Sequence, residues 1–147
     1  MSTRTKILAG VAVLAVLVLL LSRGGEPSPE RQALEDDPMA SYVPPGGTLV
    51  DTDSRTAGTS LGKQVDATYT RLFQLRESAA PQALAHARAA ATAAGWTVTE
   101  TTGRGFLAER RVLSGGLELA VSLVEDSLLL PDDLAPPALS VSLSHLA

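Results

Sequence analysis

The hydrophobic and polar positions divide the chain into an apolar run, a polar segment and a stretch of short alternating and helical patterns. The apolar run begins at Ile7 and ends at Leu21, and Arg4 and Lys6 precede it. As a helix, its 15 residues would cover roughly 22 Å of a hydrocarbon core about 30 Å thick. The pattern therefore predicts a transmembrane segment of marginal length within residues 1–25.

The same run has two interpretations, a retained anchor or a cleaved signal peptide. A signal peptidase requires small residues at the third and first positions before the cut. The acceptable frame near the run is Ser22-Arg23-Gly24, which has a charged residue in the middle. We therefore expect an uncleaved single-pass anchor, with secretion after cleavage as the alternative. Because the chain has no cysteine, a lipid-modified N-terminal cysteine is excluded.

The charges on either side of the run predict its orientation. Arg4 and Lys6 lie before it without any acidic residue, whereas acidic residues outnumber basic ones over residues 23–37. The basic flank of a membrane segment usually stays in the cytoplasm. We therefore expect a cytoplasmic N-terminus and a C-terminal domain outside the cell membrane.

Residues 26–41 are typical of a flexible linker. Pro27, Pro29 and Pro38 interrupt a continuous helix, and the acidic residues between them favour solvation. The Pro44-Pro45-Gly46-Gly47 cluster predicts a turn at the edge of a folded domain. We therefore expect three parts: the anchor at 1–25, the linker at 26–41 and an extracytoplasmic domain at 42–147.

The first half of this domain predicts strands and a loop. Thr48-Leu49-Val50 favours a short strand, and residues 51–62, which are rich in Thr, Ser, Asp and Gly, favour a surface loop. Residues 66–75 alternate and predict a strand. One face of that strand would carry Ala67, Tyr69, Phe73 and Leu75, with Arg71 as the polar exception.

The alanine-rich residues 79–94 predict a helix. Ser78 is expected as its N-cap, and Gly95 stands where a left-handed C-cap residue belongs. Because the apolar stripe is built almost entirely from small residues, the helix axis can lie close to whatever it covers, and Trp96 should pack under the last turn. The stripe consists of Ala83, Leu84, Ala87, Ala90, Ala91 and Ala94.

Four further strands are predicted after the helix, and residues 125–137 predict a long loop or a short helix between the last two. An antiparallel sheet of about five strands with one alanine-rich helix on one face accounts for this order, so the fold class is α+β. The four strands are predicted at residues 96–101, 106–113, 117–123 and 139–144.

Three local patterns carry a resemblance to a group of proteins. They are the Tyr42, Pro44, Pro45 and Gly46 positions, the helix end Ala93-Ala94-Gly95-Trp96, and the Leu/Val/Ser pattern of the terminal strand. With them the chain resembles small uncharacterised membrane-anchored or secreted α+β proteins of high-GC Gram-positive bacteria. The resemblance covers most of the part after the anchor, and it implies no active site.

Composition adds an acidic charge to this picture. The whole chain has a formal net charge of −4, and without Arg4, Lys6 and Arg23 nine basic residues stand against sixteen acidic ones. Such a domain, with a net charge near −7, repels phosphate backbones, so we expect no nucleic acid partner. Without cysteine, an outward-facing domain would be held by packing alone.

Candidate catalytic and metal-binding residues are few. His86 is expected on the helix surface and His145 on the buried side of the last strand, and no Gly-x-Ser-x-Gly motif accompanies them. Asp51 and Asp53 resemble the start of a calcium loop but lack its Gly and bidentate Glu. The Asp132-Asp133 pair favours an ordinary loop. We therefore expect no catalytic residue, no cofactor and no metal site.

The arginines are the remaining candidates. Adjacent strand residues point to opposite faces, so Arg110 and Arg111 cannot clamp one anion together. We expect one of them to form a structural ion pair on the open sheet face, or else to belong to a binding surface. Arg71 lies among aromatic residues and either binds a partner's carboxylate or snorkels at the rim of the core. The candidate partners of the ion pair are Glu100, Glu109 and Glu118.

Three hypotheses about function follow. The leading one is a non-enzymatic, membrane-tethered interaction or accessory domain of the cell envelope with a protein partner. The second is a small-molecule or cell-wall-fragment binding protein, which requires a concave and partly apolar sheet face. The third is a hydrolase, which requires a histidine or an acid pair within hydrogen-bond reach in a cleft.

Overall fold

The computed structural model describes residues 28–60, 63–113 and 115–146. The expected transmembrane segment at residues 7–21 lies outside these ranges. Within them, none of the helices has the length and apolar character needed to cross a membrane.

The described residues form an α+β fold, which confirms the predicted class. Eight strands are present, and six of them form one antiparallel sheet with the order β1-β4-β8-β7-β6-β5, while β2 and β3 pair with each other. The sheet therefore has six strands rather than about five. The bounds are β1 (Gly47–Arg55), β2 (Gly58–Ser60), β3 (Lys63–Val65), β4 (Thr68–Leu75), β5 (Thr97–Thr102), β6 (Gly105–Val112), β7 (Gly115–Val124) and β8 (Ala138–Leu146).

The expected surface loop at residues 51–62 is wrong for residues 51–55 and 58–60, which lie in strands. Residues 51–55 continue β1, which pairs with β4 from Gly47 to Arg55, and residues 58–60 pair with residues 63–65. A β-bulge between Leu49 and Asp51 shifts the register, so the alternation along β1 is broken where the polar residues begin. Pairing with β4 therefore outweighs the low strand propensity of these residues.

The core lies on one face of the sheet. Alternate residues of β4, β7 and β8 point into it, as the sequence pattern predicted, and Arg71 shares this face with the apolar residues of β4. The large buried side chains of these strands are Phe73, Leu117, Leu119, Val121, Leu139, Val141 and Leu143.

The predicted alanine-rich helix is confirmed as α2 (Ala80–Ala93). Its buried residues are Ala83, Ala87 and Ala91, and the helix packs over β5, β6 and β7. The expected cap at Ser78 is wrong, because a 3₁₀ turn at Glu77–Ala79 precedes the helix and no side chain caps it. Gly95 adopts the expected left-handed conformation with φ +86°.

The expected flexible linker is wrong for residues 28–41, which fold onto the sheet. A helix, α1 (Pro29–Glu35), is followed by a 3₁₀ turn at Pro38–Ala40. Each proline stands in the first turn, where its missing N–H has no helical partner to lose, so prolines begin these elements instead of breaking them. Leu34 and Met39 are buried in the same core as the strands.

The two helices together cover one face of the sheet and leave the other open. α1 packs over β4 and β8, and α2 packs over the remaining strands towards β5. Buried residues of both helices belong to one cluster with the strand residues. The expectation of a single helix on that face therefore accounts for only part of the cover.

The direction of α1 relative to the sheet distinguishes two ends of the domain. Asp37, which directly follows α1, bonds to Arg110 of β6, and Arg110 lies level with His145 of β8 in the strand register, so α1 ends towards the last residues of β8. A hydrogen bond from its own backbone N–H, another from Ser28 and the charge of His145 lower the pKa of Glu30, in agreement with this position. The chain then reaches Gly46, whose carbonyl oxygen accepts a hydrogen bond from the Arg76 N–H after β4. We call the end of the sheet that carries the β6–β7 turn the near end. The opposite end, which carries residues 125–137, is the far end.

If residues 28–41 belong to the core, Leu34→Ala should lower the free energy of unfolding by about 2–5 kcal/mol, as for other buried leucines. Urea denaturation of the full chain followed by the emission of Trp96, the single tryptophan, measures the change. The control is Gln32→Ala, an exposed position on the same helix, which should change stability by about 0.5 kcal/mol or less. Equal effects of the two substitutions would mean that α1 does not stabilise the domain.

Candidate functional surfaces

A buried carboxylate joins the segment after α1 to the sheet. The side chain of Asp37 is 2% exposed, and its Oδ2 accepts a hydrogen bond from Arg110 Nη1 at 2.8 Å. Its Oδ1 accepts from the indole Nε1 of Trp96 at 3.2 Å and from the backbone N–H of Met39 at 2.8 Å. Three donors thus compensate a charge that would be costly to bury alone. This ion pair is structural.

One of the two arginines, Arg110, does form a structural ion pair, but the expected partners and the expected open face are wrong. Arg110 lies on the same face as Phe106 and Ala108, towards the helices, and Arg111 is exposed on the opposite face. The two arginines do point apart, as the strand geometry predicted. Sequence reasoning missed Asp37 as a partner because it lies in the segment that was expected to be a solvated linker.

Arg71 holds the chain that follows the 3₁₀ turn. Its Nη1 donates to the carbonyl oxygens of Ala40 and Tyr42, both at 2.8 Å, and its guanidinium lies 4.9 Å from the Phe73 ring centroid. Arg71 is only 9% exposed, so this geometry does not offer it to a partner's carboxylate.

Burial raises the pKa of Tyr42, and its buried hydroxyl has no hydrogen-bond partner among the described residues.

The two histidines occupy the positions predicted from the sequence. His86 is exposed on α2, and His145 is buried at the end of β8, opposite Leu117. The ring of His145 lies against the β6–β7 turn, where an added Cβ on Gly115 would come within 3.1 Å of its Cε1. Gly115 also has a φ of +137°, so this position requires glycine.

The acidic candidates lie on the surface. Asp51 accepts a hydrogen bond from the Thr52 N–H at 2.8 Å, and Asp53 Oδ2 is 3.6 Å from Arg55 Nε. Across residues 28–60, 63–113 and 115–146, no three His, Asp or Glu side chains converge in a way that could hold a metal ion.

The open face of the sheet is mainly polar. It carries hydroxyl groups along β4 and β8, of which Thr70 and Ser142 hydrogen-bond to each other at 2.9 Å. One depression that reaches this face lies towards its β5 side, and Glu100, Leu107 and Ser122 are among its lining residues. Its lining is partly polar, so it differs from the deep apolar recess that small-molecule sites require.

The loop at the far end presents two exposed leucines. Leu128 and Leu129 are 88% and 76% exposed, whereas Leu130 is buried. They lie in a 3₁₀ turn at Ser127–Leu129, which Asp126 caps by accepting a hydrogen bond from the Leu128 N–H at 2.9 Å. The sequence predicted a loop or short helix here, but three consecutive leucines gave no indication of which would stay in solvent.

Comparison with known proteins gave no match to a family model, to a curated protein or to a solved structure. The function is therefore inferred from the chemistry and placement of this chain's own side chains.

The Asp37 ion pair leads to a stability prediction. Asp37→Asn should lower the free energy of unfolding by about 2–4 kcal/mol, because Arg110 loses its counter-charge and one buried donor is left unpaired. The emission of Trp96 should shift as well, since its indole N–H bonds to the substituted group. Thermal or urea denaturation measures the loss, with the exposed Asp36→Asn as control. An unchanged stability would show that the three contacts contribute nothing.

Proposed function

We propose that the chain is a membrane-tethered extracytoplasmic domain that binds a protein partner at the cell envelope and has no catalytic activity of its own. The sequence supports the location through the apolar run at residues 7–21 and the charges around it. The observation that carries the binding role is the exposed pair Leu128 and Leu129 at the far end.

Two adjacent exposed leucines can contribute a large part of the free energy of binding. Covering a fully exposed leucine contributes about 1.5–3 kcal/mol, which is enough for a small anchor to dominate an interface. The Asp126 cap and the buried Leu130 hold the turn on both sides of the pair. Because the turn is already ordered, little conformational entropy is lost when a partner covers it.

The surroundings of the pair indicate the chemistry of the partner. Glu125, Asp126, Asp132 and Asp133 are all exposed in the same loop, and Arg104 is the basic residue that pairs with one of them, at 3.5 Å from Glu125. An apolar recess with a basic rim would complement this loop, since charge complementarity steers association and excludes other partners.

The position of the pair suits a tethered domain. Strand β8 has nine residues and thus extends for roughly 27 Å between the two ends of the sheet. The leucines lie at the end opposite to the Asp37–Arg110 pair that follows α1, so we expect a tethered chain to direct them away from the membrane.

The alternative, a small-molecule or cell-wall-fragment binding protein, has less support. It depends on the open sheet face, and that face carries hydroxyl and carboxylate groups with shallow depressions near β5. Such a surface can attract a polar ligand but cannot enclose one.

A photocrosslinking side chain introduced at position 128 should form a defined adduct with an envelope protein in intact cells. The same side chain at Thr99, an exposed position on β5, should not form it. Leu129→Asp should abolish the adduct, because a charge in place of the leucine cannot enter an apolar recess. Equal adducts from positions 128 and 99, or an adduct that survives Leu129→Asp, would contradict the binding role.

A further inference from the structure

The near end of the sheet carries a second exposed apolar group, which the binding role does not use. Leu113 is fully exposed at the β6–β7 turn, and the partly exposed Leu146 closes β8 beside it. Together with Val112, Gly115 and Gly116, these residues line a depression. Arg111 is exposed at its margin.

The strand residues on both sides of this turn belong to the sheet. Val112 and Gly115 pair with each other, and Gly115 lies against the buried ring of His145. Leu113 directly follows the paired Val112 and is fully exposed, so an apolar side chain stands in solvent at this end of the sheet.

The near end is also the end of the described domain that we expect to lie closest to the anchor. Asp37, directly after α1, bonds to Arg110, which lies two residues before the end of β6 and level with His145 in the strand register, so the end of α1 lies at the end of the domain that carries Leu113. Because α1 has seven residues, Ser28 lies within roughly 15 Å of Asp37. The effect of His145 on the pKa of Glu30 agrees with this position. Residues 22–27 separate the apolar run from Ser28. Fully extended, this connection reaches at most about 25 Å, and an unextended chain reaches much less.

We propose that the near end rests on the membrane that holds the anchor, with Leu113 and Leu146 in the interfacial layer of the lipid. This inference rests on the tethered location in the proposed function. Leucine side chains partition into the headgroup and acyl boundary, and the Arg111 guanidinium can meet lipid phosphates there. The contact fixes the orientation of the domain and directs the far end outward.

The absence of cysteine from the chain allows a site-specific test. Leu113→Cys and, as a matched control, Leu128→Cys each introduce one thiol at an exposed leucine of a turn. Each full chain is labelled with an environment-sensitive fluorophore and inserted into phosphatidylcholine vesicles that contain a shallow acyl-chain quencher. We expect quenching of roughly half or more of the emission at position 113, since interfacial side chains lie about 5–10 Å deep in this boundary, and little at position 128.

A second variant separates insertion from a local effect of the label. With the fluorophore on Leu146→Cys, the substitution Leu113→Asp should reduce quenching, because the charge opposes insertion of the whole end. The Trp96 emission of each variant checks that the fold is retained.

The outcomes distinguish the two proposals. Vesicle-bound chain with equal quenching at positions 113 and 128, or with none at 113, would overturn the lipid contact and leave the tethered location standing. If the full chain does not float with the vesicles, it has no membrane anchor, and both proposals are contradicted.

Discussion

The ion pair between Asp37 and Arg110 is the contact on which the arrangement of the whole domain depends. It joins the segment after α1 to β6, and the indole of Trp96 at the end of α2 bonds to the same carboxylate. A single buried charge thus connects both helices and the sheet. Because separating the pair would leave an uncompensated charge in the interior, arrangements that pull these three elements apart are destabilised.

Arg71 also joins the segment after α1 to the sheet, at strand β4. Its two hydrogen bonds to the carbonyl oxygens of Ala40 and Tyr42 fix the chain after the 3₁₀ turn against β4. Leu34, Met39 and Ala40 are buried in the same core, so residues 28–42 are part of the folded domain. Six residues separate the apolar run from Ser28 in the sequence, and the proposed lipid contact of the near end depends on this short separation.

Periodicity in the sequence was sufficient to predict most strands of the sheet and helix α2. Strands β4, β7 and β8 alternate without interruption, so their buried faces, including the position of Arg71, followed from the pattern. Of β1, only the start at Thr48-Leu49-Val50 followed from the sequence, because the bulge after Leu49 breaks the alternation and the remaining residues are polar.

The polar contacts were harder to predict than the strands. Prolines at positions 29 and 38 suggested a linker, although a proline in the first turn is compatible with a helix. With α1 missed, Asp37 could not be recognised as the partner of Arg110. The exposure of Leu128 and Leu129 depends on which residue of the leucine triplet reaches the core, and this is decided by tertiary packing rather than by local sequence.

Hydrogen exchange of the backbone amides in residues 32–40 tests the central claim, that this segment is an integral part of the fold. The N–H groups of Gln32, Asp36 and Ala40 each donate to a backbone carbonyl at 2.9 Å, and helical amides of a folded core exchange only through substantial unfolding. We expect these amides to be protected to the same extent as the amides of α2. Exchange at the rate of an unstructured peptide, with α2 still protected, would contradict it.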